Sequence, residues 1–204
     1  MYGLRKIKID GKNDLNEFMW PLEVGAEVEA PDWYPEPKCG GGLYCLPNAS
    51  GDWGLLSGEY WAVLEFDEKD MVQIDSEKCK VKKCKIVFLS ENPNGMLKFF
   101  DHEKFDSETA YNWAYHIGDR DIMIDRITEP KWVFWWAAYI GNKDIMIDRI
   151  FDSEYAYYWA VSIGNRDTMI DRITEPKWAV QWAQNIGDPD RLWGKNVKCK
   201  VEWA

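Results

Sequence analysis

Across residues 105–193 the sequence repeats every 23 residues, four times in succession. Glycines fall at Gly118, Gly141, Gly164 and Gly187, and five residues before each stands Trp113, Trp136, Trp159 or Trp182. Fixed-period similarity at this length calls for stacked units, each too small to bury its own apolar face. The units run 105–127, 128–150, 151–173 and 174–193, and each divides into two short helices. The first helix carries Ala110, Trp113, Ala114 and Ile117, the spacing of an amphipathic stripe. Asp106 and Ser107, Thr128 and Glu129, Asp152 and Ser153, and Thr174 and Glu175 stand where they can satisfy the free amides of a helix start. Pro130 and Pro176 fit the first turn. The glycine closes the helix in a left-handed cap. Asp119, Asn142, Asn165 or Asp188 then follows as an expected N-cap for helix two.

Helix two is expected to turn Met123, Ile124 and Ile127 inward, with Met146, Ile147, Ile150 and Met169, Ile170, Ile173 repeating them. A 46-residue rhythm overlies the shorter one. Units one and three share Phe-Asp-Ser-Glu, from Phe105 and Phe151, while units two and four share Thr-Glu-Pro-Lys-Trp, from Thr128 and Thr174.

Residues 1–98 read as a small mixed, mostly β N-terminal domain. Residues 4–9, 60–66 and 80–89 have strand character, the last with a lysine-rich outer side. Turn-rich stretches separate them, and Asn92-Pro93-Asn94-Gly95 marks the boundary with the helical tandem repeats of 99–193. Residues 194–204 alternate like a strand and read as a cap over the last unit or an extra strand of the first domain. The expected fold class is α+β, with a four-unit α-solenoid after the N-terminal module.

With 204 residues, 46% of them hydrophobic, and 13 tryptophans, the chain can bury a substantial core. Its net charge of −10 is shared by both halves. That disfavours a direct grip on nucleic-acid phosphates, which needs lysine and arginine, and favours a basic protein partner. An ordinary acidic surface is the plainer alternative. No run of 18 apolar residues exists, so no membrane span is expected, and the start of the chain lacks the apolar stretch of an export signal. The expected compartment is the cytoplasm, with five reduced cysteines.

Cys39-Gly40-Gly41-Gly42-Leu43-Tyr44-Cys45, Gly51-Asp52-Trp53-Gly54-Leu55-Leu56-Ser57, Trp61-Ala62-Val63-Leu64-Glu65-Phe66 and Met71-Val72-Gln73-Ile74-Asp75 follow one another here. Together they resemble an uncharacterised bacterial and phage module with a CGGGL-type motif, over about residues 20–90. Tyr44 replaces that module's usual histidine. The resemblance implies a phage-encoded interaction protein and carries no established chemistry.

Candidate site residues come from two faces. Opposite the buried stripe of helix one, the outermost positions hold Glu108, Asn112, Tyr115; Lys131, Trp135, Ala138; Glu154, Tyr158, Val161; and Lys177, Gln181, Gln184. Unit-to-unit variation there fits a recognition face, with Tyr115, Trp135 and Tyr158 as aromatic anchors; cover by the N-terminal domain is the alternative. On helix two, Asp121 and Asp125, Asp144 and Asp148, and Asp167 and Asp171 form a carboxylate ladder. It either imitates phosphates or is a solvated face paired with Arg126, Arg149 and Arg172. Cys39, Cys45, Cys79 and Cys84 have spacings that fit zinc poorly, and residues 40–42 lack the lysine of a P-loop. His102 and His116 belong to no local nucleophile–base pattern. No catalytic residue, metal or cofactor is expected.

The function expected from sequence is a non-enzymatic, phage-encoded inhibitor of the anti-CRISPR or anti-defence type. It would occlude a basic, nucleic-acid-binding host effector with an acidic aromatic surface. The alternatives are a structural repeat protein that self-associates into homo-oligomers, and an N-terminal domain that binds a small ligand or is an enzyme.

Overall fold

A computed structural model describes residues 1–12, 18–187 and Leu192. The chain divides by packing into two compact units, Met1–Ile117 and a second from Gly118 onward. Each is described by itself.

The first unit is built on one seven-stranded antiparallel sheet in the order β2-β7-β4-β1-β3-β6-β5. Its strands are β1 Tyr2–Ile7, β2 Glu27–Glu29, β3 Leu43–Pro47, β4 Tyr60–Glu65, β5 Met71–Gln73, β6 Cys79–Val81 and β7 Lys83–Ser90. β4 is central and buried on both faces, with Ala62, Val63 and Leu64 fully enclosed. One face packs Ala62 and Leu64 with Ile7, Leu43, Cys45, Val81 and Ile86. On the other face, Trp61 meets Trp53 at 6.1 Å between ring centroids, and Trp53 meets Trp113 at 6.1 Å. Trp113 belongs to α1, Ser107–His116. Phe100 and Phe105 close around it, each at 5.5 Å. The first helix of the repeat series is therefore part of the sheet unit's core, although the sequence punctuation falls earlier, at residues 92–95.

The strand expected over 80–89 is two strands. Between β6 and β7 the chain bends at Lys82, whose N–H donates to the Asp70 carbonyl (2.8 Å) and whose carbonyl accepts from Ala30 (2.8 Å). The two halves consequently pair with different neighbours, β6 with β3 and β5, β7 with β2 and β4. The break resets the alternation of sides. Cys79 and Cys84 are both buried, and the lysine side is mixed: Lys83 and Lys85 face out while Lys80 is fully enclosed. β3 was hidden between the turn residues that flank it.

In the second unit, α3 (Pro130–Tyr139), α5 (Ser153–Ser162) and α7 (Pro176–Asn185) start at 23-residue intervals. Between them lie the single turns α2 (Arg120–Met123), α4 (Lys143–Met146) and α6 (Arg166–Met169). α5 packs on α3 and α7 packs on α5. Trp136 and Trp159 are fully buried and Trp182 is 2% exposed. Their indole N–H groups have no partner among the described residues, and the rings are held by packing.

The helix ends follow the glycine. Both Ile140 and Gly141 donate to the Trp136 carbonyl, at 2.8 and 2.9 Å, and Ile163 and Gly164 repeat this on Trp159. Helix two departs from expectation in two ways. Asp119, Asn142 and Asn165 stand at the N-cap position with φ of 51, 53 and 54°, and none makes a side-chain cap bond. They are there because a short polar side chain tolerates the left-handed backbone. Each turn of α-helix also tightens into 3-10 geometry, at Ile124–Arg126, Ile147–Arg149 and Ile170–Arg172. Met123, Ile127, Met146 and Ile150 are fully buried as expected, but Ile124 and Ile147 are only half-buried. The strand or cap expected over 194–204, and the cap expected at Asp188, lie outside the described residues.

Two sets of polar links join successive repeats. Arg149 reaches back to donate through Nη1 to the carbonyls of Ile124 (2.5 Å) and Ile127 (3.0 Å), while Nη2 meets Asp125 at 3.3 Å. Arg172 does the same one period later, to Ile147 and Ile150 (2.6 Å) and to Asp148 (3.6 Å). The Ile124 and Ile147 carbonyls already accept the N–H of Ile127 and Ile150 within the 3-10 turn, at 3.3 Å each, so the guanidinium takes their second lone pair and also holds the carbonyl of the residue that closes the turn. The second set explains the 46-residue rhythm. Buried Ser153, at the start of α5, accepts from the N–H groups of Thr174 (3.0 Å) and Glu175 (3.2 Å) just before α7. Of the Thr-Glu start, only the Thr174 hydroxyl, 3.2 Å from Ser153 Oγ, adds a side-chain contact to the two backbone donors.

Replacing Arg149 by Met should destabilise the protein by about 2–3 kcal/mol, because two turn-end carbonyls lose a charged donor. Asp125→Asn, at a carboxylate 81% exposed, should cost no more than about 0.5–1 kcal/mol. Urea denaturation of the two variants checks the order.

Candidate interaction surface

Two repeats carry more aromatic residues than one helix can bury. Phe134, Trp135 and Trp136 are consecutive on α3, and Tyr157, Tyr158 and Trp159 are consecutive on α5. Successive helical residues point 100° apart, so burying Trp136 and Trp159 leaves the other rings on the flank and outside. There they find one another. Trp135 stacks on Tyr139 at 5.1 Å and meets Phe134 at 5.7 Å. Phe134 crosses to α5, with Tyr155 at 6.2 Å and Tyr158 at 6.3 Å. Tyr158 and Tyr157 then reach Trp178 of α7, at 5.5 and 5.4 Å. Ring pairs at these separations add about 0.5–1.5 kcal/mol each beyond the area they bury.

The network is open to solvent at several points. Tyr139 is 59% exposed and Tyr158 37%, while Phe134, Trp135, Tyr155 and Tyr157 are half-buried. Its borders are polar. Lys131 and Lys177 sit over Trp132 and Trp178 at 4.4 and 4.5 Å, the same contact one 46-residue period apart. Asn185 donates to the Tyr157 hydroxyl at 2.9 Å. Burial, and then the Glu154 carboxylate, push the Tyr155 and Tyr158 phenols above their ordinary value. Both hydroxyls stay protonated at neutral pH and can donate hydrogen bonds to a partner.

Of the three aromatic anchors expected from sequence, Trp135 and Tyr158 join this one network through Phe134. Trp135 is half-buried, because Tyr139 and Phe134 cover part of it. Tyr115, 51% exposed, lies in the first unit and stacks on Tyr111 at 5.9 Å. The single-position wheel missed Phe134, Tyr139 and Trp178. Runs of adjacent aromatic residues were the signal for them.

The aspartates Asp121, Asp125, Asp144, Asp148, Asp167 and Asp171 are all exposed. Asp125 and Asp148 are committed to the arginine of the following repeat, so part of the carboxylate ladder joins repeats together.

The first unit's other candidates are structural as placed. The amides of Gly40 and Gly42 are taken by the Tyr44 hydroxyl (2.5 Å) and by Asp32 (3.1 Å). A Cβ on Gly41 would lie 1.8 Å from the Asp32 carbonyl oxygen. Enclosed Lys80 pins the loop by donating to the carbonyls of Lys38 (2.9 Å) and Gly40 (3.3 Å), with Tyr34 beside it at 5.2 Å. Cys45 and Cys79 are opposite one another on β3 and β6, with sulfurs 3.5 Å apart. The contact with Cys79, then burial, pushes the Cys45 thiol up; burial pushes Cys84 up to about 12. Among the described residues no three metal-ligating side chains converge, and no helix is long and apolar enough to cross a membrane.

No protein-family model, curated protein or solved structure matches the chain.

His116 lies flat on Trp53, with ring centroids 5.6 Å apart and planes 12° apart. Burial, then the Lys6 charge, hold its imidazole below the ordinary 6.5. The unfolded chain therefore takes up the proton first, so the associated stability is complete above pH 6.5 and is lost as pH falls through the folded-state value. NMR titration should place the His116 midpoint below 6.5, and Lys6→Gln should raise it. Alkylation of the native protein should label exposed Cys39 and spare buried Cys45, Cys79 and Cys84, as read by peptide mass mapping.

Proposed function

We propose that this chain works by binding another protein, with the aromatic face of α3, α5 and α7 as the docking surface. The observation that carries the reading is the continuous ring network from Tyr139 to Trp178, open to solvent at Tyr139 and Tyr158. Partly exposed Trp and Tyr held rigid by neighbours are the residue types that dominate binding energy, because little entropy is lost on contact. In architecture, we read the 23-residue units as a short α-solenoid. The period of the sequence, the packing of α3 on α5 and α5 on α7, and the back-reaching Arg149 and Arg172 support it.

The partner is a protein with a basic surface. A net charge of −10 speeds encounter with such a target, and the outer aspartates that remain exposed contribute to that field. A phage-encoded inhibitor that occludes a nucleic-acid-binding defence effector is the form in which both features have a use. That form rests on the charge and on the resemblance carried by the segments 39–45, 51–57, 61–66 and 71–75. The reading is of a non-enzymatic protein acting in the cytoplasm.

Replacing Trp135 and Tyr158 together by alanine should weaken capture of the partner by roughly 100-fold, at about 1.5 kcal/mol or more for each anchor. The melting temperature should fall as well, since the ring pairs with Phe134, Tyr139 and Trp178 are lost, so capture is measured below the variant's melting transition, with its folding checked by circular dichroism. Raising salt should slow capture of the native chain. Capture unchanged by the double substitution refutes docking through this face. Light scattering that shows a defined oligomer, dissociated by the same substitutions, would instead establish self-assembly.

A further inference from the structure

A cleft of about 610 Å³ opens in the first unit between β1, β3, the loop of residues 39–42 and residues 55–57. Its volume falls in the range of small-molecule sites, about 300–1,000 Å³. Its lining has the opposite charge balance to the chain. Arg5, Lys6 and Lys78 face it against a single carboxylate, Asp32, in a protein of net charge −10. Asp32 is already engaged by the Gly42 amide at 3.1 Å. Among the described residues neither Lys6 nor Lys78 has an acidic side chain within ion-pair distance, although acids outnumber bases 35 to 25.

The cationic groups are placed by the fold. The Arg5 guanidinium lies over the buried Trp20 ring at 4.5 Å and donates through Nη1 to the Tyr44 carbonyl at 2.6 Å. Lys6 is held over Trp61 at 4.7 Å. Stacked on Trp20 and bonded to Tyr44, the guanidinium adds a fixed positive charge to the wall of the cleft. The glycine loop on the rim is equally fixed, by enclosed Lys80 and by the Tyr44 hydroxyl.

Apolar surface supplies the rest of the lining. Leu46, Leu55 and Leu56 contribute to it, and Leu55 is 47% exposed. Leu55 is presented by the 3-10 turn Trp53–Leu55, which Asp52 caps by accepting from the Gly54 N–H at 2.8 Å. An exposed leucine on a capped, rigid turn beside three cations is a poor surface for water and a good one for a molecule that is part apolar and part anionic.

We propose that this cleft binds a small amphipathic organic anion, a carboxylate, sulfonate or phosphate attached to a flat apolar body. Lys6 and Lys78 hold the charged head, and Leu55 and Leu56 cover the body. The assignment is independent of the docking reading above. Its ligand chemistry follows from the lining alone: charge without apolar surface would favour inorganic anions, and apolar surface without charge would favour neutral molecules.

The test is titration of the full chain with naphthalene-1-sulfonate, naphthalene-1-carboxylate, 1-naphthylmethanol and inorganic phosphate, followed by amide shifts of residues 39–46 and 55–57. Both aromatic anions should move these amides, and the better of the two identifies the head group. The neutral alcohol and inorganic phosphate should bind at least about tenfold more weakly. Lys78→Glu should weaken the aromatic anions at least about fivefold, in proportion to the charge reversed at the rim. Leu55→Asp should do the same through the apolar wall, and so decides the matter if Lys78→Glu does not fold. Equal binding of alcohol and anion, no shift at these amides, or full affinity in a folded Lys78→Glu or Leu55→Asp protein overturns the proposal.

Discussion

A ten-residue helix does not hold itself together in water, because nucleation costs more than so few backbone bonds return. Every long helix of the second unit is of this length, and every helix between them is a single turn. Their stability must come from outside each element. It comes from one enclosed tryptophan per repeat, worth about 1.5–3 kcal/mol or more on burial, and from polar links to the preceding repeat. Among the described residues the indole nitrogens of Trp136, Trp159 and Trp182 have no partner, so what these rings contribute is apolar packing. The arginines make the complementary contribution: each adds a charged donor to two carbonyls of the preceding repeat's 3-10 turn. Neither device works for a repeat in isolation.

How much of this was legible follows from which interactions are periodic. The tryptophan, the glycine cap and the proline starts recur at fixed spacing, and the sequence displays them directly. Arg149 and Arg172 also recur, yet what they touch was hidden, since a charged residue beside aspartates reads as a surface pair until the backbone shows carbonyls within reach. Asn142 and Asn165 misled for a related reason. Asparagine serves both as an N-cap and as a left-handed residue, and only the backbone angle separates the two uses. In the first unit β3 lay between glycine and proline and had too few residues to display an alternation. The Lys82 bend could not be foreseen, because its partners, Asp70 and Ala30, are distant in the chain.

The aromatic face shows where one-dimensional reasoning stops. A helical wheel assigns each residue to an inside or an outside, and it correctly sent Trp136 and Trp159 inward. It does not say what the remaining rings do when three stand in a row. They pack against the next helix and form a surface half protein core and half solvent boundary. Such a surface is rigid, apolar and edged with lysine, glutamate and amide groups. In the first unit the corresponding lesson concerns charge. Lys80 and Lys78 are two residues apart, yet one is enclosed as a structural pin and the other lines an open cleft.

The serine that bridges to the following repeat fixes the parity of the chain. Ser153 is matched to the Thr-Glu start after it, and proline at that start leaves no comparable hydroxyl to serve a further copy. Loss of the copy 151–173 alone would set one Thr-Glu-Pro start after another, and the Thr174 and Glu175 N–H groups would lose the Ser153 hydroxyl. Deleting a serine-start copy together with the Thr-Glu-Pro copy after it removes acceptor and donors at once, so the pair, and not the 23-residue unit, is the module whose loss leaves no unmatched link.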